Sequence, residues 1–321
     1  MPRIPMLRMI SIGLMLAAGA VSGQEYPHKP IRLVAPTAGG AIDFYARVLA
    51  PPLSTNLGQQ VIVDNRGGGS GVIAVDTVIR ANPDGHTLLI YGPPSWLLPL
   101  LRKNVRYDVL RDLVPVVLLN NSGNLLVVHP SVPATTVREL IDLAKAKPGQ
   151  LLDAGSDTGS SAHLAAELFK SMAGVNIRRV PYKGVGAGIS ALIAGEVQMM
   201  MPAIAAAMPH VKSGRLRALA VSFAEPSKLA PGIPTITASG VPGYVSQTTG
   251  AVFAPKATPA AITNKLNQEF NRALVTPEVR EKFLAAGAEP AGGPPQAAAA
   301  AIKNEIAKWG KLIRDLGIQE E

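Results

Sequence analysis

Residues 61–80, VIVDNRGGGSGVIAVDTVIR, set Gly69, Gly71 and Ala74 in the G-x-G-x-x-A spacing of a dinucleotide loop. That spacing serves anion binding. Glycines let the backbone turn tightly, and the following helix start aims its N–H groups and dipole at a phosphate or carboxylate. Two further turns share the design. APTAGGAIDFYARVLA passes from a strand through Gly39-Gly40 into a helix, and AGSDTGSSAHLAAELF does so around residue 155. A Walker A loop would need a lysine after the glycines, and none follows. A dinucleotide site would need the glycine turn directly off the strand and an acid about twenty residues on. Here Asp64-Asn65-Arg66 intervene, and the next apolar run ends in YGPPS without an acid. The spacing therefore points to an anion that is not a nucleotide.

Enzymatic motifs are missing as well. There is no G-x-S-x-G, H-E-x-x-H or S-x-x-K, and the five histidines at 28, 86, 129, 163 and 210 lack ligand spacing. Ser156, Ser160 and Ser161 are nucleophiles only if His163 or a distant acid reaches them; otherwise they are helix-capping hydroxyls. His163 reads as a first-turn structural histidine. Asp43 reads either as a first-turn acid or as a group that fixes its loop or meets a ligand amine. Lys183 in VPYKG either faces a carboxylate or is solvated. With no cysteine, disulfides and thiolate metal sites are excluded.

The elements that must position these turns follow from length and patterning. With 321 residues, 47% of them hydrophobic, the chain can build two cores. The net charge of +9 is scattered, without the lysine/arginine block of a nucleic-acid arm, and aromatics at 4% give no stacking platform. A general attraction for anionic ligands remains. Arg3 and Arg8, the apolar run from Met9 to Val21 and the small residues after it read as a secretory signal peptide over 1–23. The mature chain is expected to begin near Gln24 and to be exported without membrane insertion.

Short runs such as IRLVAP, VIVDN, TLLIYG, VPVVLL, LLVVHP, RRVPY, VQMMM, LRALAVS and AVFAP predict buried strands, with amphipathic helices between them. Thr136 and Glu139 form a capping box before a helix that Pro148-Gly149 ends. Thr258 is expected to cap the next-to-last long helix, with Pro259 in its first turn. Ile302, Ile306, Trp309, Ile313 and Leu316 form the apolar stripe of the last helix, and PAGGPPQAAAAA before it reads as a turn. Strand–helix alternation predicts an α/β fold with mostly parallel sheets and ligands beyond the strand carboxyl ends.

Taken in order, YPHKPIRLVAP, GQQVIVDNRGGG, ANPDGHTLL, RYDVLRDLVPV, LAKAKPGQL, GSSAHLAAELF, VPYKG, GRLRALAVS, IPTITASGVPGY and FAPKATPAAI resemble the Bug-type solute receptors of tripartite tricarboxylate transporters. The likeness runs through the chain to the tryptophan helix. It implies a periplasmic, two-lobed, class II venus-flytrap binding protein with two crossover strands, placed at LLVVHP and AVFAP. One lobe would be 24–126 with 253–321, the other 127–252.

The resemblance also implies a non-catalytic receptor that holds a small di-, tri- or aromatic carboxylic acid in the interlobe cleft. It would need no cofactor or metal and would deliver the ligand to a two-component membrane permease. The alternatives are a sensor receptor serving a signalling partner and a serine-dependent hydrolase. The expected ligand-binding residues are Thr37, Ala38, Gly39, Asp43, Arg66, Ser95, Ser156, Thr158, Gly159, Ser160, His163, Tyr182 and Pro202. This chain departs from the family pattern: its first loop is shorter and has Thr37 for phenylalanine, Asp157 stands for a glycine, Pro202 for a Phe-Asp pair, and Thr248 for an aromatic. The loss of a cleft acid favours a plain carboxylate over an amino acid.

Overall fold

The structure is a computed structural model that describes residues 26–36, 38–155 and 160–318. The signal peptide expected over 1–23 and residues Thr37, Ser156, Asp157, Thr158 and Gly159 lie outside the described residues. Along the chain run β1 (Ile31–Ala35), α1 (Ala41–Leu57), β2 (Val61–Asn65), a short 3₁₀ turn (Gly69–Gly71), α2 (Val72–Ile79), β3 (Thr87–Tyr91), α3 (Pro94–Leu101), α4 (Val109–Asp112) and β4 (Leu113–Gly123). There follow β5 (Leu125–Val128), α5 (Val137–Ala146), β6 (Leu152–Gly155), α6 (Ser161–Ala173), β7 (Arg178–Pro181), α7 (Gly184–Ile193), β8 (Met199–Met200), α8 (Ile204–Lys212) and β9 (Arg217–Val221). The chain closes with β10 (Gln247–Pro255), α9 (Ala260–Leu274), α10 (Pro277–Ala285), β11 (Glu289–Gly292) and α11 (Pro295–Asp315).

Two sheets result, one in the order β11-β4-β10-β3-β1-β2 and one in the order β7-β6-β8-β5-β9. The side-chain period of two sorts β1 between cores. Ile31, Leu33 and Ala35 join Leu49, Phe270 and Phe283 on one face, whereas Val34 points to a second cluster with Val75 and Leu89. That second cluster continues into the other sheet through Leu126, Val128 and Met199. The apolar core therefore runs unbroken from one sheet to the other.

The α/β reading holds, but the expectation of mostly parallel sheets does not. Strands β1, β2 and β3, and likewise β6, β7 and β8, pair in parallel across helical connections. Strand β10 runs antiparallel to β3 and β4, β11 antiparallel to β4, and β5 antiparallel to β8 and β9. The sheets are mixed because strands that carry the chain between them re-enter against the direction of the βαβ units.

The chain passes from the first sheet to the second at Asn124 and returns between Val221 and Gln247. The passage is braced. Ser222 Oγ lies 2.7 Å from the Asn124 backbone N–H that donates to it, Ser222 N–H donates to Asn124 O at 2.9 Å, and Ser246 N–H donates to Ser222 O at 2.9 Å.

The capping box of α5 forms as expected: Glu139 N–H donates to Thr136 Oγ1 at 3.2 Å, and Thr136 N–H to Glu139 Oε2 at 3.1 Å. The expected Thr258 cap does not form. Pro259 takes the N-cap position in extended backbone, so the helix starts one residue later. Part of the stretch read as a turn before the last helix is strand, β11.

Candidate functional site

Among the described residues, the turns after β2 and β3 of the first sheet and the start of α6 in the second line one cavity beside the passage. The glycine turn is left-handed throughout, with φ of 113° at Gly68, 57° at Gly69, 55° at Ser70 and 91° at Gly71. Its shape is dictated by Tyr91. A Cβ at Gly71 would sit 2.3 Å from the Tyr91 hydroxyl, and that hydroxyl donates to Ser70 O at 2.8 Å. The glycines thus serve the approach of a ring to backbone.

In the first loop Gly39 also has positive φ, 75°. Its N–H is not left open as the turn design suggested: it donates to Asp43 Oδ2 at 2.9 Å. Arg47 Nε donates to the same oxygen at 3.0 Å and Asn65 Nδ2 to Oδ1 at 2.9 Å. Burial alone would raise the Asp43 pKa, but the hydrogen bonds from Arg47, Gly39 and Asn65 outweigh it and hold the carboxyl below its ordinary value. Of the readings open for Asp43, loop fixing is the one its contacts support.

A cavity of about 380 Å³ lies between the sheets. From the first-sheet side it is lined by Ser70, by Pro93, Pro94, Leu97, Leu98 and Leu101 at the β3–α3 junction, and by Trp309 of α11. Ser160, Ser161 and Leu164 of the α6 start face it from the second sheet, and Ser246, Gln247 and Thr248 close it along the passage. Helix α3 is locked to α11 by Trp96 Nε1, which donates to Glu305 Oε2 at 3.0 Å.

Among the described residues of the expected set, Ser160 lines this cavity. It caps α6, its Oγ accepting the His163 backbone N–H at 3.3 Å. His163 itself is buried. Burial, reinforced by the Arg179 charge, pushes its pKa down to about 4, so the imidazole is neutral at pH 7. Beneath α6 lie the ion pairs of buried Lys170 with Glu167 and with Asp153, the latter at 3.6 Å; burial raises Asp153 to about 6.

Several other described residues of the expected set bond within the protein or face solvent. Ser95 is fully buried and donates to Gly92 O at 2.8 Å within its own turn. Ala38 is exposed, Arg66 pairs with Asp64 at 3.1 Å, the Tyr182 hydroxyl donates to Glu196 Oε2 at 3.4 Å, and Pro202 is buried with its carbonyl accepting from Leu125 N–H at 2.9 Å. Sequence reasoning passed over Leu97, Leu98, Leu101, Leu164, Gln247 and Trp309. The signal available was position: PPSWLLPLL follows directly on the carboxyl end of a strand. Among the described residues no group of three or more histidines and acids could hold a metal ion, and no helix is long and apolar enough to cross a membrane.

Two mixed sheets joined by crossing strands, with a cavity between them at helix starts, are the two-lobed fold of periplasmic binding proteins. Residues 45–318 match the family model described as the tripartite tricarboxylate transporter family receptor, and the chain belongs to that family. It is similar to Protein BugT of Bordetella pertussis, 37% identical over 313 residues that cover 95% of this chain and 96% of that one. Among solved structures it resembles R. palustris Rpa4515 with adipate, at 37% identity and a TM-score of 0.73, covering 92% of this chain and 99% of that one. It also resembles MatC (Rpa3494) from Rhodopseudomonas palustris with bound malate, at 28% identity and a TM-score of 0.69, covering 90% and 100%.

Proposed function

We propose that this chain is a non-catalytic periplasmic receptor that captures a small carboxylate between its lobes and presents the closed form to a two-component membrane permease. The observation that carries the reading is the cavity between the sheets, with the capped start of α6 at Ser160 and Ser161 on its wall. A 13-residue helix starting there directs N–H groups and dipole toward the cavity, which favours an anion. Adipate and malate in the related structures support a carboxylate. Receptor family membership supports capture without turnover.

The lobes are taken as residues 24–126 with 253–321 and residues 127–252, with the two crossover strands at LLVVHP and AVFAP. Closure of the lobes on the ligand is the state a partner reads. Export follows from the N-terminal basic and apolar pattern over 1–23. The first-strand loop residues Ala38 and Gly39, with Thr37 and the serine-rich loop at Ser156, Thr158 and Gly159, complete the clamp in this reading.

The test is thermal denaturation of the mature protein against a panel of carboxylic acids and their uncharged amides. A ligand at 100 times its Kd adds about 2.7 kcal/mol to stability. Acids, and not amides, are expected to raise Tm, and mass spectrometry after long incubation is expected to return the acid unchanged. A panel in which no acid shifts Tm, or a hit that is consumed, overturns the reading.

A further inference from the structure

We infer that the ligand of this cleft is a carboxylic acid with an apolar body, an aryl-alkanoate or a medium-chain alkanoate, rather than a short hydroxylated polyacid. The inference rests on the proposed carboxylate-receptor function and adds the shape and polarity of the rest of the ligand.

The cavity is two-sided in character. Its polar lining residues are serines, Gln247 and Thr248, while Leu97, Leu98, Leu101 and Trp309 on the first-sheet side and Leu164 of α6 give it an apolar surface. Those five side chains are buried, none more than 8% exposed, so they form a fixed wall and not a mobile rim. The wall is also held from behind, because the Trp96–Glu305 hydrogen bond ties α3 to α11. Among the described lining residues there is no lysine, arginine or histidine. A carboxylate can therefore sit at the serine-capped helix start, but a second charge or a row of hydroxyls pressed on Leu97, Leu98, Leu101 and Leu164 would lose water without gaining partners. Apolar surface placed there gains by leaving water. Size agrees: a cavity of about 150 Å³ takes a benzene ring, so about 380 Å³ takes a ring and a short acid chain.

Calorimetry of the mature protein with 3-phenylpropanoate, octanoate, L-malate and 3-phenylpropanamide tests this. Either apolar acid is expected to bind at least tenfold more tightly than L-malate, and the amide at least tenfold more weakly than its acid. Leu98→Phe, which fills the apolar wall, is expected to lower the ratio of phenylpropanoate to malate affinity at least fivefold. Quenching or enhancement of tryptophan fluorescence by phenylpropanoate, diminished in Trp309→Phe, gives a second readout should Leu98→Phe not fold. Malate binding more tightly than both apolar acids would overturn the inference while leaving the receptor reading standing. Binding of the amide as tightly as the acid would remove the carboxylate reading itself.

Discussion

Asp43 Oδ2 accepts the backbone N–H of Gly39 at 2.9 Å across four residues, so the first glycine turn is held by the first turn of the helix it opens. Arg47 and Asn65 complete the shell of that carboxylate. Gly39 and the α1 start are thereby tied to the end of β2.

Asp43→Ala removes an acceptor from three donors at once. A stability loss of about 2–4 kcal/mol is expected, since hydrogen bonds to a charged group contribute about 1.5–3 kcal/mol each and are not additive. Urea unfolding measures it. A loss under 0.5 kcal/mol would mean that the loop keeps its shape without Asp43.

Ser160→Ala is expected to cost about 1 kcal/mol of stability as a lost N-cap. It should weaken acid binding by a further 1–3 kcal/mol if the hydroxyl also meets the carboxylate (a charge-assisted hydrogen bond of about that size). Calorimetry separates the two effects, because a purely structural cap would leave the affinity of the folded variant near wild type.

The acid response follows from His163. Its folded pKa of about 4 lies below the ordinary 6.5, so between these values the unfolded chain binds the extra proton and stability falls as pH drops from about 6.5 to 4. The ceiling is about 3 kcal/mol, from about 1.36 kcal/mol per pKa unit. Asp153, raised to about 6, runs the other way: its stabilisation is full below about 3.8 and is lost as pH rises to about 6. Their opposition should flatten the wild-type profile. His163→Gln should then lose less stability than wild type as pH falls from about 6.5 to 4, and Tm measured from pH 4 to 7 reports it. A profile parallel to wild type would show that His163 is not neutral in the folded state.

An α-amino group should weaken binding at least tenfold, about 1.4 kcal/mol. Both oxygens of Asp43 are engaged by the protein, and Pro202 offers no acid. A desolvated ammonium without an acceptor is costly. Paired titrations of 3-phenylpropanoate and phenylalanine decide the point. Preference for the amino acid would redirect attention to Asp157, and Asp157→Asn would then be the variant to measure.

How much of this was legible in the sequence depended on how local each signal was. The Thr136–Glu139 box and the Ser160 cap span three residues, and both form. The continuous apolar strands β1 and β3 were equally plain. By contrast β6, LDAG, carries a buried aspartate, and β11, EPAG, has no apolar run, so neither showed as a strand. The cavity wall escaped for a different reason. Leu98 and Trp309 lie far apart along the chain, and a side chain facing a cavity follows the same helical stripe as one packed in a core. Only the meeting of α3 with α11, fixed by Trp96 and Glu305, separates the two roles.

The most direct measurement is a crystal structure of the mature protein with its tightest-binding acid. The carboxylate is expected within hydrogen-bond reach of the α6 start at Ser160 and Ser161, between the two sheets, with the lobes closed over it. The acid bound outside the cleft, or in the cleft with its carboxylate turned away from α6, would contradict it.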